Sequence, residues 1–431
     1  MRYRRAGLAK VLACTAVLAA VATACGSGGS GTSSDGKVEL TIATFNEFGY
    51  EELLKEYEAA NPNVKVTQRK TGQGAPHHQN LFTKLGAGSG LADVEAVEEG
   101  FLSQVMAKSG QFEDLKEIGP KDVREDRWLQ WKVDAVTTKD GKLIGYGTDI
   151  GPLAMCYRKD MLEAAGLPSD AEGVKALFAT WDSYFQAGDT YVQKTGKPWF
   201  DSAAQIFNPM HNQEKTGYFD RDDKLVIEGG NGNNDKKIWD QVTSAVARGQ
   251  SAKLAAWSPE WQTGFKESAF ATKTCPSWML GVIEGNAGPD HKGKWAVTAA
   301  FPGGGGNWGG SYLTVPKQGK NKAEAAKLAA WLTAPEQQIK AFKAKGTFPS
   351  QTEALISPEL LNQTSEYFGG EKVGMLFAEQ ANKVAAAQYK GPQDGEIQDN
   401  VVSPALASVE QGTSPDEAWA KVIEGAKKAA K

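Results

Sequence analysis

The sequence predicts an α/β protein folded as two lobes. Strand-like and helix-like stretches alternate from residue 38 onward, the pattern of sheets layered with helices. Removing an N-terminal leader from the 431 residues leaves roughly 400, more than one hydrophobic core usually serves. No later stretch reaches the run of about 18 apolar residues that a membrane-crossing helix needs.

The leader comes first. Arg2, Arg4, Arg5 and Lys10 precede an apolar run over residues 8–24 that ends Ala22-Thr23-Ala24-Cys25. A basic start, a short apolar core and small residues before a cut site describe a secretory signal over residues 1–24. A cysteine at that point resembles a bacterial lipobox, in which Cys25 is lipidated and becomes the first residue. The alternative is an ordinary signal with a chance cysteine. Cys14 also follows an apolar-small pair, but too little apolar chain precedes it. Residues 26–36 are nearly all Gly, Ser and Thr, a flexible tether of the kind that links a lipid to a folded body. The tether is placed at residues 25–37.

Residues 38–45 (VELTIATF) alternate and are β-branched, so they read as a strand. Residues 51–60 carry Leu53, Leu54 and Tyr57 at helical spacing, and Asn61-Pro62 stops the helix. Strands follow at 64–68 and 92–97 around a helix at 80–86, which makes a mostly parallel layer. Further strands are expected at 143–146, 153–157, 277–283, 295–300 and 312–315. Helices are expected at 174–194, 238–249, 322–333 (capped by Asn321), 378–387 and 415–428. Residues 208–234 read as a polar loop and 301–310 as a glycine-rich loop.

The formal net charge is −4 and no basic block occurs, so nucleic acid is excluded as a partner. Gly304-x-Gly306-x-x-Gly309 matches a dinucleotide pattern, but a strand follows it where a helix is required. No phosphate-binding loop is present, so the chain does not itself hydrolyse ATP. Metal-ligand spacings are absent, and Asp220, Asp222 and Asp223 lack the glycine and terminal Glu of a calcium loop. No metal or cofactor is expected. Beyond the leader two cysteines remain, Cys156 and Cys275; spacing leaves open a disulfide or two buried free thiols.

Four segments in order resemble one family. They are VELTIATFNEFGYEELLKEYEAANPNVKV from Val38, AMCYRKDMLEAAGLP from Ala154, KTCPSWMLG from Lys273 and AAWLTAPEQQIKAFKAKGTFPSQTEAL from Ala329. Together they resemble the extracellular solute-binding proteins of carbohydrate ABC importers, the maltose-binding-protein-like group. FNEFGY and PGG…NWGGSYLTVP are most similar to actinobacterial binders of cellobiose and cello-oligosaccharides. The resemblance implies a periplasmic-binding-protein-like fold, with a ligand cleft between two hinged lobes. Lobe 1 would comprise residues 38–150 and 312–360, and lobe 2 residues 151–311 and 361–431. Crossings would fall near 148–153 and 309–313. The resemblance further implies an oligosaccharide ligand and permease subunits with a separate ATPase. It also implies a monomer anchored outside the cytoplasmic membrane only by its lipid. Cys156 and Cys275 depart from the residues usual in the family, which favours a disulfide particular to a subgroup.

A sugar offers hydroxyls at its rim and apolar C–H faces, so its site needs flat aromatic rings and a few polar groups. Twelve tryptophans suit that need. The candidates lie beyond strand ends. Asn46, Glu47 and Phe48 follow the first strand. Glu98 and Glu99 follow the third. Asp149 lies in the first crossing. Trp278 sits in the segment matching the family's G-x-W. Trp308 stands in a loop whose glycines cannot bury it, with Gly309, Gly310 and Ser311 offering backbone groups. Of the adjacent His77 and His78, His78 is the candidate for ligand contact; neighbours on an extended segment point apart, which argues against metal. One rival is a secreted glycoside hydrolase, with a carboxylate pair drawn from Glu47, Glu98, Glu99 and Asp149. The tether, the ordered segments and the lack of an acid–base motif weigh against it. A binder of peptides, polyamines or metal would need more acidic or histidine clustering.

Overall fold

The computed structural model describes residues 36–229, 232–384 and 388–431. The leader and Cys25 lie outside the described residues. The two lobes each have their own sheet. The first sheet runs β2-β1-β3-β9-β4, with β1 Val38–Phe45, β2 Val64–Thr71, β3 Val94–Glu98, β4 Gly145–Gly147 and β9 Ser311–Thr314. β1 is parallel to β2 and β3, whereas β9 returns antiparallel between β3 and β4. Leu40 and Ile42 of β1 are buried with Leu53, Leu54 and Tyr57 of the helix Glu51–Ala60, so strand and helix periodicities meet in one core.

The second sheet, β7-β6-β8, is wholly antiparallel. Its strands are β6 Leu153–Arg158, β7 Thr272–Pro276 and β8 Trp295–Thr298. β6 is buried on both faces. Leu153, Met155 and Tyr157 enter one core, and Ala154 and Cys156 enter the other. That is the two-residue period of a strand dividing two helical layers.

The stretch 277–283, read as a strand, is corrected: β7 stops at Pro276 and a helix, Met279–Ala287, follows. Its buried Met279, Leu280, Ile283 and Ala287 recur at helical spacing, and a short apolar run does not separate the two readings. The segment read as a loop at 208–234 begins inside another helix, Ala204–His211, despite Pro209.

Three segments cross between the lobes. β5 (Asp149–Ile150) pairs antiparallel with β10 (Phe348–Pro349). The loop ending at Gly310 lies beside them, tied by Trp308 N–H to Gly151 O (2.8 Å) and Thr148 N–H to Ser311 O (2.9 Å). Ala354, Leu355 and Leu360 pack in the same core as Cys275 and Met279 of lobe 2.

Cys156 and Cys275 are joined as a disulfide between β6 and β7, with Cα atoms 5.5 Å apart. The bond closes a loop of 119 residues. Cross-linking so long a loop restricts the unfolded chain, so the Cys156→Ala/Cys275→Ala double variant should lose about 2–4 kcal/mol of stability. Denaturant midpoints of the two proteins check this.

Candidate functional site

A cleft opens where the lobes face each other. Lobe 1 supplies Glu98 and Phe101, from the end of β3 and the helix Glu99–Met106. Lobe 2 supplies Asn208, His211 and Asn212, together with the chain from Lys390 to Asp399. Trp308 and Gly309 lie between them on the second crossing.

Backbone geometry places the Trp308 indole. Gly309 and Gly310 have φ of +81° and +99°, a region where a side chain is strained. A Cβ at Gly151 would fall 1.9 Å from Trp308 O, so the two crossings meet only because residue 151 is glycine. Asn307 locks the loop: its Oδ1 accepts from Gly151 N–H (2.8 Å), and its Nδ2 donates to Glu99 Oε2 (2.6 Å) and Gly309 O (2.9 Å). Trp308 is half-buried against the lobe 2 core. Trp278 meets it edge to face at 5.8 Å, and the Trp278 indole N–H donates to Trp308 O (3.0 Å).

On the lobe 2 wall, His211 is sandwiched between Tyr218 (4.2 Å, 17°) and Phe207 (6.0 Å, 11°). Its Nδ1 is 2.6 Å from Asp235 Oδ1, which fixes the ring's orientation. Asn212 is 8% exposed and its side-chain N–H₂ has no protein acceptor. Asp394 accepts from Tyr218 N–H (2.9 Å), and Gln398 accepts from the Tyr218 hydroxyl (2.5 Å).

The lobes touch at one edge of the cleft. Ser103 donates its hydroxyl to Lys390 O, and the Lys390 ammonium lies 3.8 Å from Glu99. A Cβ at Gly395 would fall 2.6 Å from Gly100 O, so the glycine at 395 lets the backbones approach.

The sequence profile of the family described as bacterial extracellular solute-binding protein matches residues 52–366. The chain belongs to that family. This solute-binding protein is 30% identical over 393 residues to the arabinooligosaccharide-binding protein of Bacillus subtilis (strain 168), covering 83% of this chain and 85% of that one. It is 26% identical over 398 residues to the lactose-binding protein of Rhizobium radiobacter, covering 88% and 90%. A crystal structure of an extracellular solute-binding protein family 1 member superposes with a TM-score of 0.82 at 50% identity, covering 91% of this chain and all of that one.

Of the residues singled out from sequence, Glu98, Trp308 and Gly309 line the cleft of the solute-binding protein. Others do not, for identifiable reasons. Phe48 is 6% exposed and packs in the lobe 1 core against Phe45 and Tyr50. His78 is buried behind the wall: its Nδ1–H donates to Gly74 O (2.8 Å), its Nε2 accepts from Glu98 N–H (2.9 Å), and Phe101 stacks on it at 4.1 Å. Burial, with His77 beside it, pushes its pKa down to about 3, so it is a neutral support. Asn46 and Glu47 are exposed on the loop after β1, outside this cleft, and Glu47 pairs with Lys70 and Lys345. Glu99 and Asp149 are buried in the crossing region, where Glu99 binds Asn307 and Asp149 accepts from the Thr148 hydroxyl (2.6 Å). Gly309 O, Gly310 O and Ser311 O accept from Asn307, Glu99 N–H and Thr148 N–H, so these carbonyls bind the crossing together. Asn212, Lys390, Asp394 and Asp399 were not anticipated, and His211, which its polar surroundings mark as ordinary surface or a marginal cleft residue, is buried in the cleft wall. They belong to stretches with no local motif.

Burial, with Asp399, Asp149 and Glu99 nearby, raises the Glu98 pKa to about 8, against an opposing Lys390. The folded protein therefore holds this proton more tightly than the unfolded chain, and stability is lost as pH rises from the ordinary carboxylate range toward 8. Burial lowers the pKa of His77, His78 and His291, so these act oppositely, but only below their ordinary 6.5. Tm should accordingly fall between pH 6.5 and 8.5, and Glu98→Gln should reduce that fall. Thermal melts of both proteins across the range decide it.

Proposed function

We propose that this solute-binding protein captures an oligosaccharide between its lobes and delivers it to a membrane permease driven by a separate ATPase. One observation carries the reading: a half-buried indole on a glycine crossing stands among polar groups drawn from both lobes. The Trp308 face suits the C–H face of a sugar ring. Around it Glu98 and Asp399 accept from hydroxyls, and the Asn212 amide donates. Because the ligand touches both lobes, it favours the closed arrangement by its differential affinity. The names of the two curated relatives, an arabinooligosaccharide binder and a lactose binder, support a saccharide of more than one unit. Within that class the FNEFGY and NWGGSYLTVP stretches favour cello-oligosaccharides. The protein acts as a monomer, held outside the cytoplasmic membrane by a lipid on Cys25, and makes or breaks no bond in its ligand.

Isothermal calorimetry against cello-oligosaccharides, arabino-oligosaccharides, lactose and a peptide panel, with a release assay on aryl glycosides, tests this. Saccharide binding without release is expected. Binding of peptides alone, or release of the aryl group, would sink the proposal.

A further inference from the structure

The geometry points to an outer saccharide subsite at Trp257, so that the ligand is a chain of at least three sugar units. This inference rests on the saccharide reading above and goes beyond it to ligand length.

Trp257 is the one exposed tryptophan among the described residues, at 41%. Its φ is +70°, a left-handed conformation that a bulky side chain rarely adopts. Lys253, four residues earlier, is also left-handed at +59°. The loop carrying both is firmly held: Ala252 N–H donates to Phe200 O (2.9 Å), Leu254 N–H to Asp201 O (3.1 Å), and Ser258 N–H to Ala255 O (3.1 Å). The indole's direction is therefore imposed by the backbone. Core packing does not account for the strain, because so much of the ring remains in solvent. Strain at a side chain left this exposed is found where that side chain must be presented for use.

What the loop presents is a flat ring beside the cleft. Trp257 lies nearly parallel to Trp278, with centroids 6.1 Å apart and planes at 25°, and Trp261 supports it at 5.1 Å. Trp278 in turn touches Trp308 at 5.8 Å, with the planes turned by 80°. Three indoles thus lead from the cleft to the surface in steps comparable to one sugar unit, changing direction as they go. Each indole offers an apolar face to a pyranose or furanose ring. A disaccharide seated at Trp308 and Trp278 leaves Trp257 without a partner; a longer chain reaches it.

Calorimetry on the full mature chain with the di-, tri- and tetrasaccharides of the cello and arabino series tests this. Trp257→Gly is the informative variant, because glycine adopts the left-handed turn without strain and the fold is kept. Affinity of the unaltered protein should rise from di- to tetrasaccharide in the series it binds. The penalty of Trp257→Gly should climb with chain length, to at least fivefold for the tetrasaccharide, and Trp257→Phe should recover part of it. A penalty equal at every length would make the indole a mere brace for Trp278 and overturn the subsite. So would no penalty, or an affinity flat with length in the unaltered protein. An unaltered protein that binds neither series overturns the saccharide reading as well.

Discussion

Trp308→Ala should weaken saccharide binding by more than tenfold, about 1.4 kcal/mol, while Tm stays within a few degrees. The two halves of this expectation have separate causes. The loop's shape does not depend on the indole. Gly309 and Gly310 supply its left-handed turns, Asn307 supplies three hydrogen bonds, and the Trp308 backbone pairs with Gly151. Alanine keeps all of these. The indole is only half-buried, so removing it opens little cavity in the lobe 2 core. The residue also lines the cleft, together with Glu98, Asn212 and Asp399. Alanine there forfeits the contact area of an aromatic platform, and water enters around the hydroxyls that the polar groups hold. Calorimetry with the tightest-binding saccharide measures the first half and a thermal melt the second. Unchanged affinity would remove Trp308 from the site, and a collapsed Tm would make it a structural residue.

The parts that local chemistry could foretell differ in kind from those it could not. β1 and the helix Glu51–Ala60 were legible because each buries one periodic face in a single core, and Asn61-Pro62 marks the stop. Trp308 stood out because glycine neighbours cannot cover an indole. The helix Met279–Ala287 was misread because an apolar run buried on most sides lacks a distinguishing period. His211 and Asn212 were hidden for another reason. A proline inside the helix argues locally against the element that carries them, and the His211 partners Asp235 and Tyr218 lie elsewhere in the chain. Phe48 failed in the opposite direction. It follows a strand end, where ligands are met, but its neighbours Phe45 and Tyr50 draw the ring into the core. A cleft between lobes is assembled from residues remote in sequence, and their convergence is a property of the hinge.

That hinge supplies a second large effect, at Gly395. This residue stands in the short helix Asp394–Ile397 of lobe 2, and a Cβ there would lie 2.6 Å from Gly100 O in lobe 1. The opposing atom is helix backbone, which cannot swing aside as a side chain can. The next two nearest atoms to such a Cβ are Gly100 C at 3.3 Å and Phe101 Cδ1 at 3.7 Å, both also in lobe 1. The three nearest atoms to the new Cβ all belong to lobe 1, so the tightest clash of Gly395→Val falls on the approach of the two lobes. An overpacked contact of this kind costs about 1–3 kcal/mol. Here the molecule relieves it by opening at the crossings, where the Ser103 and Lys390 contacts separate as well. Charged to the closing equilibrium, that cost lowers ligand affinity by about 5- to 150-fold, with Gly395→Ala at the low end. Small-angle scattering separates this from a local defect. With saturating saccharide the valine variant should keep the larger radius of gyration of the open form, while its melting temperature without ligand matches or exceeds that of the unaltered protein. A variant that contracts fully and binds as tightly as before would show that Gly100 and Gly395 are not where closure is limited.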